Sequence, residues 1–203
     1  MAVTNAYTTL AAVRAMLGIT NSADTTNDTY IEAIIDAVSR SIDDYCHRRF
    51  FTTTADETRY YEPIDWDVCY TDDILSITTL KTDDDGDGTY ETTWATTDYD
   101  TKPDNSALDS LPIMWLAINP NGDYDFPTFS KAVQIVGKFG YCATASPPKQ
   151  IVQAALIESV KEYKLTREAP FNVSGSSDTG TIQATGGFSE ATLRRLDKFR
   201  RII

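Results

Sequence analysis

Between two runs rich in β-branched residues the chain reads DDDGDG, Asp83 to Gly88. Asp83, Asp85, Asp87 and Gly88 satisfy D-x-D-x-D-G, the opening of a calcium loop in which alternate carboxylates turn toward one ion. The twelfth position of such a loop should be a bidentate Glu, and here it is Trp94. The competing use is a hairpin turn, which takes Asp and Gly for their backbone tolerance. The mismatch favours the turn and leaves Asp83, Asp85 and Asp87 as the secondary, metal-binding reading. Cys46 and His47 hold the other reactive groups, and His47 is the only histidine. Neighbours on a helix do not face each other. Neither a Cys-His pair nor a Ser-His-Asp triad can therefore be built, and no catalytic residue is assigned. Neither GxxxxGK[ST] nor GxGxxG is present, so no nucleotide or other cofactor is expected.

The third group is cationic. The last dozen residues, TLRRLDKFRRII, hold Arg194, Arg195, Lys198, Arg200 and Arg201 against Asp197. Leu193, Leu196 and Phe199 recur on one side of the same stretch. Such a segment can dock on an acidic protein surface, touch nucleic-acid phosphates, or fold back on its own core with its cations at a helix C-terminus.

Net charge is −12 and the pI is near 4.4, which argues against a general nucleic-acid binder. It leaves room for a protein that DNA passes without sticking. Acid is concentrated in residues 54–146, whose eighteen Asp and Glu read as a solvated face. So many carboxylates contain some pair at any separation, so a glycosidase pair has no support. The 203 residues suffice for a large domain or two small ones. The polar start, MAVTNAYTTL, lacks the apolar stretch of a signal peptide, and no run is long enough for a membrane helix, so no membrane partner is expected. Cys46, Cys69 and Cys142 are widely spaced, without CxxC, and read as free buried thiols.

The strongest helical signal is Asp28–Arg48. Ile31, Ile34, Ile35, Val38, Ile42 and Tyr45 recur at steps of three and four. Asp36–Arg40 and Asp44–Arg48 are spaced to support it at i,i+4. A shorter helix, TLAAVRAML, opens at Thr8 or Thr9 and closes at Gly18. Strands are expected at Thr58–Glu62, Asp67–Tyr70, Ile74–Thr82, Thr89–Ala95, Ile113–Ile118 and Lys131–Tyr141, the third and fourth forming a hairpin around DDDGDG, with Thr97–Thr101 either continuing the fourth strand or starting another. Pro147-Pro148 opens a second long helix, Lys149–Arg167, with Ala154 and Ala155 small enough for a close crossing. Pairing the two long helices gives an α+β fold, a helical bundle built from N- and C-terminal segments with an inserted antiparallel β module. The divisions are 1–53, 54–146 and 147–203. The last contains a Gly/Ser/Thr-rich flexible arm, 168–188, and a basic helix, 189–203, capped by Ser189.

Four stretches in this order resemble the head–tail connector proteins of long-tailed bacteriophages, also called neck adaptors or head-completion proteins. They are YTTLAAVRAMLGI, AIIDAVSRSIDDYCHRRF, ILSITTLKTDDDGDGTYETTW, and VGKFGY followed by PP and AALIESVKEYKLTREAPFNVSG. The resemblance implies a structural virion protein at the neck, a ring of twelve copies under the portal that prolongs the DNA channel. Its neighbours would be its own copies, the portal, and a stopper or tail-completion protein. It implies portal docking through the C-terminal segment, with Leu193, Arg194, Arg195, Leu196, Lys198, Phe199, Arg200 and Arg201 as the candidates. Two readings from other classes stay beside it, a calcium-dependent β binding module and an enzyme of unknown reaction.

Overall fold

In the computed structural model, which describes residues 4–142, 147–168, 173–176, 180–183 and 187–201, the chain divides into two compact units. One comprises Met1–His47 and Pro147–Ile203, the other Arg48–Ser146. Helices and an antiparallel sheet are both present, which is the expected α+β class.

The first unit is helical. Thr9 caps α1 (Leu10–Met16) by accepting the Ala12 N–H, and the chain leaves through Gly18 in a left-handed conformation. α2 (Asp28–Cys46) buries Ile31, Ile34, Ile35, Val38, Ser39, Ile42 and Cys46 along one side. It ends two residues earlier than its periodicity suggests, because His47 turns left-handed. Arg48 therefore lies beyond the helix and the expected pair with Asp44 gives way to Asp73, 3.1 Å away. Arg40 reaches Asp43 at 3.4 Å, one turn from Asp36 on the other side. Buried Ser39 keeps its hydroxyl satisfied by donating to the Ile35 carbonyl while accepting the Tyr7 N–H.

α3 (Lys149–Glu168) packs on α2. Ile151, Ala154 and Ala155 are wholly buried, so the small residues sit where the backbones approach. Val13, Ile31, Ile35 and Val160 form the shared core, with Tyr30 and Tyr163 rings 6.2 Å apart at its edge. The stretch read as an arm without regular structure contains two paired strands, β7 (Val173–Ser176) and β8 (Gly180–Gln183); its remainder from 169 to 186 lies outside the described residues. α4 (Glu190–Leu196) and a 3₁₀ turn, Asp197–Phe199, follow. Among the described residues no helix is long and apolar enough to cross a membrane.

The second unit is a six-stranded antiparallel sheet. Its strands are β1 (Glu57–Tyr61), β2 (Val68–Thr82), β3 (Thr92–Thr93), β4 (Tyr99–Lys102), β5 (Ile113–Ile118) and β6 (Val133–Phe139). Their order is β1-β6-β2-β5-β4, with β3 on β2. The two strands expected at 67–70 and 74–82 are one. The polar interruption Thr71-Asp72-Asp73 does not break β2, because register shifts absorb it and buried Asp73 is neutralised by Arg48. The hairpin return expected over 89–95 shrinks to two residues, Thr92 and Thr93. Tyr90 instead donates to the Lys131 carbonyl at 2.8 Å, holding the segment off the ladder. Cys69, Ile74, Leu80, Trp94, Leu116, Phe126, Ile135 and Phe139 make the core.

The unit's two ends pair with each other. Thr53 donates to the Phe139 carbonyl and Tyr141 to the Arg49 carbonyl, both at 2.9 Å. Gly140 sits between them at φ +138°, and a Cβ there would stand 2.1 Å from the Phe51 carbonyl oxygen. A Gly140→Ala variant combines that clash with a backbone region closed to L side chains. Its stability in a urea titration should fall by at least about 1–3 kcal/mol.

Candidate functional site

The three groups singled out by chemistry lie in different settings. Asp83 is buried at the start of the hairpin tip. Its Oδ1 accepts the Gly86 N–H at 2.7 Å and its Oδ2 the Gly88 N–H at 2.9 Å. Asp85 accepts from Asp87 N–H and Asp87 from Thr89 N–H. The Thr89 hydrogen bonds hold the Asp87 carboxyl below the usual range. These are Asx turns, with each acid satisfying a loop amide. Oxygens of Asp83, Asp85, Asp87 and Glu91 also lie within 4.8 Å of one another. Glu91, at the ninth loop position, was not among the sequence candidates. Trp94, at the twelfth, points inward and donates to the Thr82 hydroxyl at 3.1 Å.

Cys46 and His47 are not brought together. Cys46 is wholly buried with its thiol 3.8 Å from the Leu196 carbonyl, while His47 is exposed at the end of α2. Of the other thiols, Cys69 is buried and pushed up to about 12 by desolvation. Cys142, expected to be buried, is only half-buried, and burial moves it up to about 11. At neutral pH both are protonated and poor nucleophiles.

The basic segment forms the best-defined arrangement. Ser189 caps α4, its Oγ accepting the Thr192 N–H. The same residue donates its N–H and its hydroxyl to Glu158 Oε1, at 3.0 and 2.7 Å. Lys161 lies 3.4 Å from Oε2 and also donates to the Gly187 carbonyl at 2.5 Å. A single acid–base pair on α3 therefore holds the root of α4. Glu158 is 4 % exposed. Burial alone would raise its carboxyl; hydrogen bonds from Thr192 and Ser189 and the Lys161 charge together outweigh it and hold the group below the usual glutamate range.

Further contacts secure the far end. The Tyr45 hydroxyl donates to Asp197 at 2.5 Å, Arg200 lies over the Tyr45 ring, and Phe188 meets that ring edge-on. The Arg201 N–H donates to the Cys46 carbonyl at 2.9 Å, satisfying a group at the end of α2. Of the eight docking candidates, Leu196 is wholly buried in its own unit, a departure from its expected place on a docking face. Leu193, Arg195, Phe199 and Arg201 are half-buried, and Arg194, Lys198 and Arg200 are exposed. Arg194 pairs with Glu190 at 2.5 Å.

Glu158 was missed by the sequence reading, although a signal existed. It stands at i+3 and i+4 from Ala155 and Ala154, on the buried side of α3. A charge at an apolar register position asks for a partner. Beside it a cavity of about 520 Å³ opens along α2 and α3, walled by Tyr30, Ala33, Ala37, Glu162 and Phe188.

Comparisons with known proteins fit this architecture. Residues 7–79, which span α1, α2, β1 and most of β2, match the family described as phage gp6-like head-tail connector protein. The comparison with curated proteins gave no match. Among solved structures the fold is similar to a chain from the neck of an empty GTA particle computed with C6 symmetry. That match has a TM-score of 0.61 and 15 % identity, covering 100 % of this chain and 94 % of that one. It is also similar to a chain of the virion of a native gene transfer agent (GTA) particle, at TM-score 0.53 and 14 % identity, covering 100 % and 94 %. A chain from the native GTA neck computed with C12 symmetry matches at TM-score 0.54 and 14 % identity, covering 100 % and 93 %.

Two outcomes are expected from these geometries. The depressed Glu158 carboxyl stabilises the α4 attachment above its unfolded value, near 4.5. That contribution falls away as pH drops through the lower folded value. Amide exchange over 189–201 should therefore rise toward free-peptide rates under acid, before the β unit opens. At the hairpin tip Asp83 is committed to Gly86 and Gly88, so a calcium titration should give no heat and no change in Tm. A saturable heat removed by Asp85→Asn would establish an ion site instead.

Proposed function

We propose that this chain, whose residues 7–79 match the phage gp6-like head-tail connector family, works as a structural, non-enzymatic adaptor in the neck of a tailed virion. It assembles head-to-tail into a ring, twelve copies in number, between the portal and the tail. The portal lies on one side and a stopper or tail-completion protein on the other. The ring prolongs the channel through which DNA passes without sequence-specific contact.

The observation that carries this reading is the coincidence of two independent likenesses. The family match falls on the first helical segment and the start of the sheet, and the fold likeness to GTA neck chains extends over the whole chain. The chemistry is compatible with it. Head-to-tail rings need two different complementary surfaces on each copy. An acidic β unit and a cationic C-terminal segment supply surfaces of opposite sign. An acidic conduit also repels phosphates and lets DNA slide. We assign the portal contact to the α4 segment, from Leu193 to Arg201.

Native mass spectrometry of the chain mixed with its cognate portal tests the reading. The expected spectrum shows adaptor copies added to the portal in a ring-sized complement, even if the chain alone is a monomer. No association at any concentration would overturn it. Deleting residues 189–203 should weaken portal attachment while the β unit keeps its melting transition. Undiminished attachment would remove the α4 assignment.

A further inference from the structure

The α4 segment is amphipathic, yet the structure turns its apolar side inward. Leu196 and Thr192 are wholly buried, Leu193 and Phe199 half-buried, and the exposed side carries Arg194, Lys198 and Arg200 beside Glu190, Ala191 and Asp197. A helix of this length has no stability of its own in water. Its seat consists of two buried residues, one ion pair at its root and the Tyr45, Arg200 and Arg201 contacts at its end. Five cations lie between 194 and 201, spread over α4, the 3₁₀ turn and the residues after it, against Glu190 and Asp197, so the segment is net positive.

We propose that this is the undocked form of the portal-binding element. Glu158 and Lys161 act as a latch on Gly187 and Ser189, and docking proceeds by unseating α4. Leu193, Leu196 and Phe199 then leave their own unit for an apolar groove on the portal rimmed with acidic residues. The inference rests on the portal reading above and names the surface that reading uses.

The sign of one effect separates this from a purely structural latch. If only the unseated form binds, the observed affinity is the intrinsic one scaled by the unseated fraction. Loosening the latch raises that fraction and tightens binding. If α4 docks while seated, loosening the latch weakens binding or leaves it unchanged.

The test uses the full chain and its purified cognate portal. Glu158→Gln removes the charge from the hydrogen bonds to Ser189, and Lys161→Ala is a milder second variant at a partly exposed position. The reporter of unseating is alkylation of Cys46, which lies beneath Leu196, in a Cys142→Ser background. Cys69 belongs to the buried β core. Both latch variants should speed Cys46 alkylation and lower the Kd for the portal. The gain for Glu158→Gln is about tenfold or more, the size expected for one charge-assisted hydrogen bond. Leu196→Ser should accelerate alkylation too, yet lose portal binding, because its side chain belongs to the bound surface. Variants that alkylate faster but bind no tighter would overturn the inference. So would full binding by Leu196→Ser. A wild-type chain that fails to bind the portal at all would take down the portal reading itself, a separate outcome.

Discussion

The helical unit depends on one constraint, the need to cover the buried side of α2. Ile31, Ile35 and Ile42 are wholly buried, and α1 is too short to enclose a helix about 30 Å long. The cover is α3, which begins only at Lys149. Closing so long a stretch of chain would cost entropy if that stretch were loose. Much of it is removed because residues 48–142 form their own unit, whose two ends are hydrogen-bonded to each other through Thr53–Phe139 and Arg49–Tyr141. Buried Asp73 and its partner Arg48 reinforce that meeting, with the Asp73 carbonyl also accepting the Gly140 N–H at 2.8 Å.

Once α2 and α3 are together, the end of the chain has somewhere to sit. Cys46 exposes a carbonyl that Arg201 fills, and Tyr45 offers a ring to Arg200 and a hydroxyl to Asp197. Glu158 supplies the other end of the seat. Removing its charge from water is costly, and the cost is met by hydrogen bonds that form only when Ser189 arrives. The arrangement is therefore conditional. An acid that would be awkward alone becomes favourable in company, and the helix that satisfies it is itself unstable alone.

Much of this was legible from residue order. The periodicity of Asp28–Cys46, the caps at Thr9 and Ser189, the Pro-Pro start of α3 and the apolar run of β5 each report local physics, and the structure follows them. The failures lie where distant groups decide. Nothing local says that Arg48 will leave its helix to meet Asp73, and without that pairing Thr71-Asp72-Asp73 reads as a break in β2. Tyr90 is a good strand residue that bonds to Lys131 instead of a ladder. At the hairpin tip the motif was visible, and so was its defect at Trp94. It takes the folded loop to commit Asp83 to Gly86 and Gly88 and to bring Glu91 into the cluster. In the basic segment the apolar seam was visible, but which way Leu196 faces depends on α2 and α3.

The length of β2 has a mechanical meaning. Its fifteen residues extend over about 50 Å. Its first half is bonded to β5 and its second to β6, with Ile74 paired to both. Ladder hydrogen bonds run across the strand direction. A pull along β2 therefore strains many of them at once, in shear, and none can fail far ahead of the rest. A pull across it would open them singly, like a zipper. The sheet is stiff along one axis and yielding along another, so its resistance to force depends on direction.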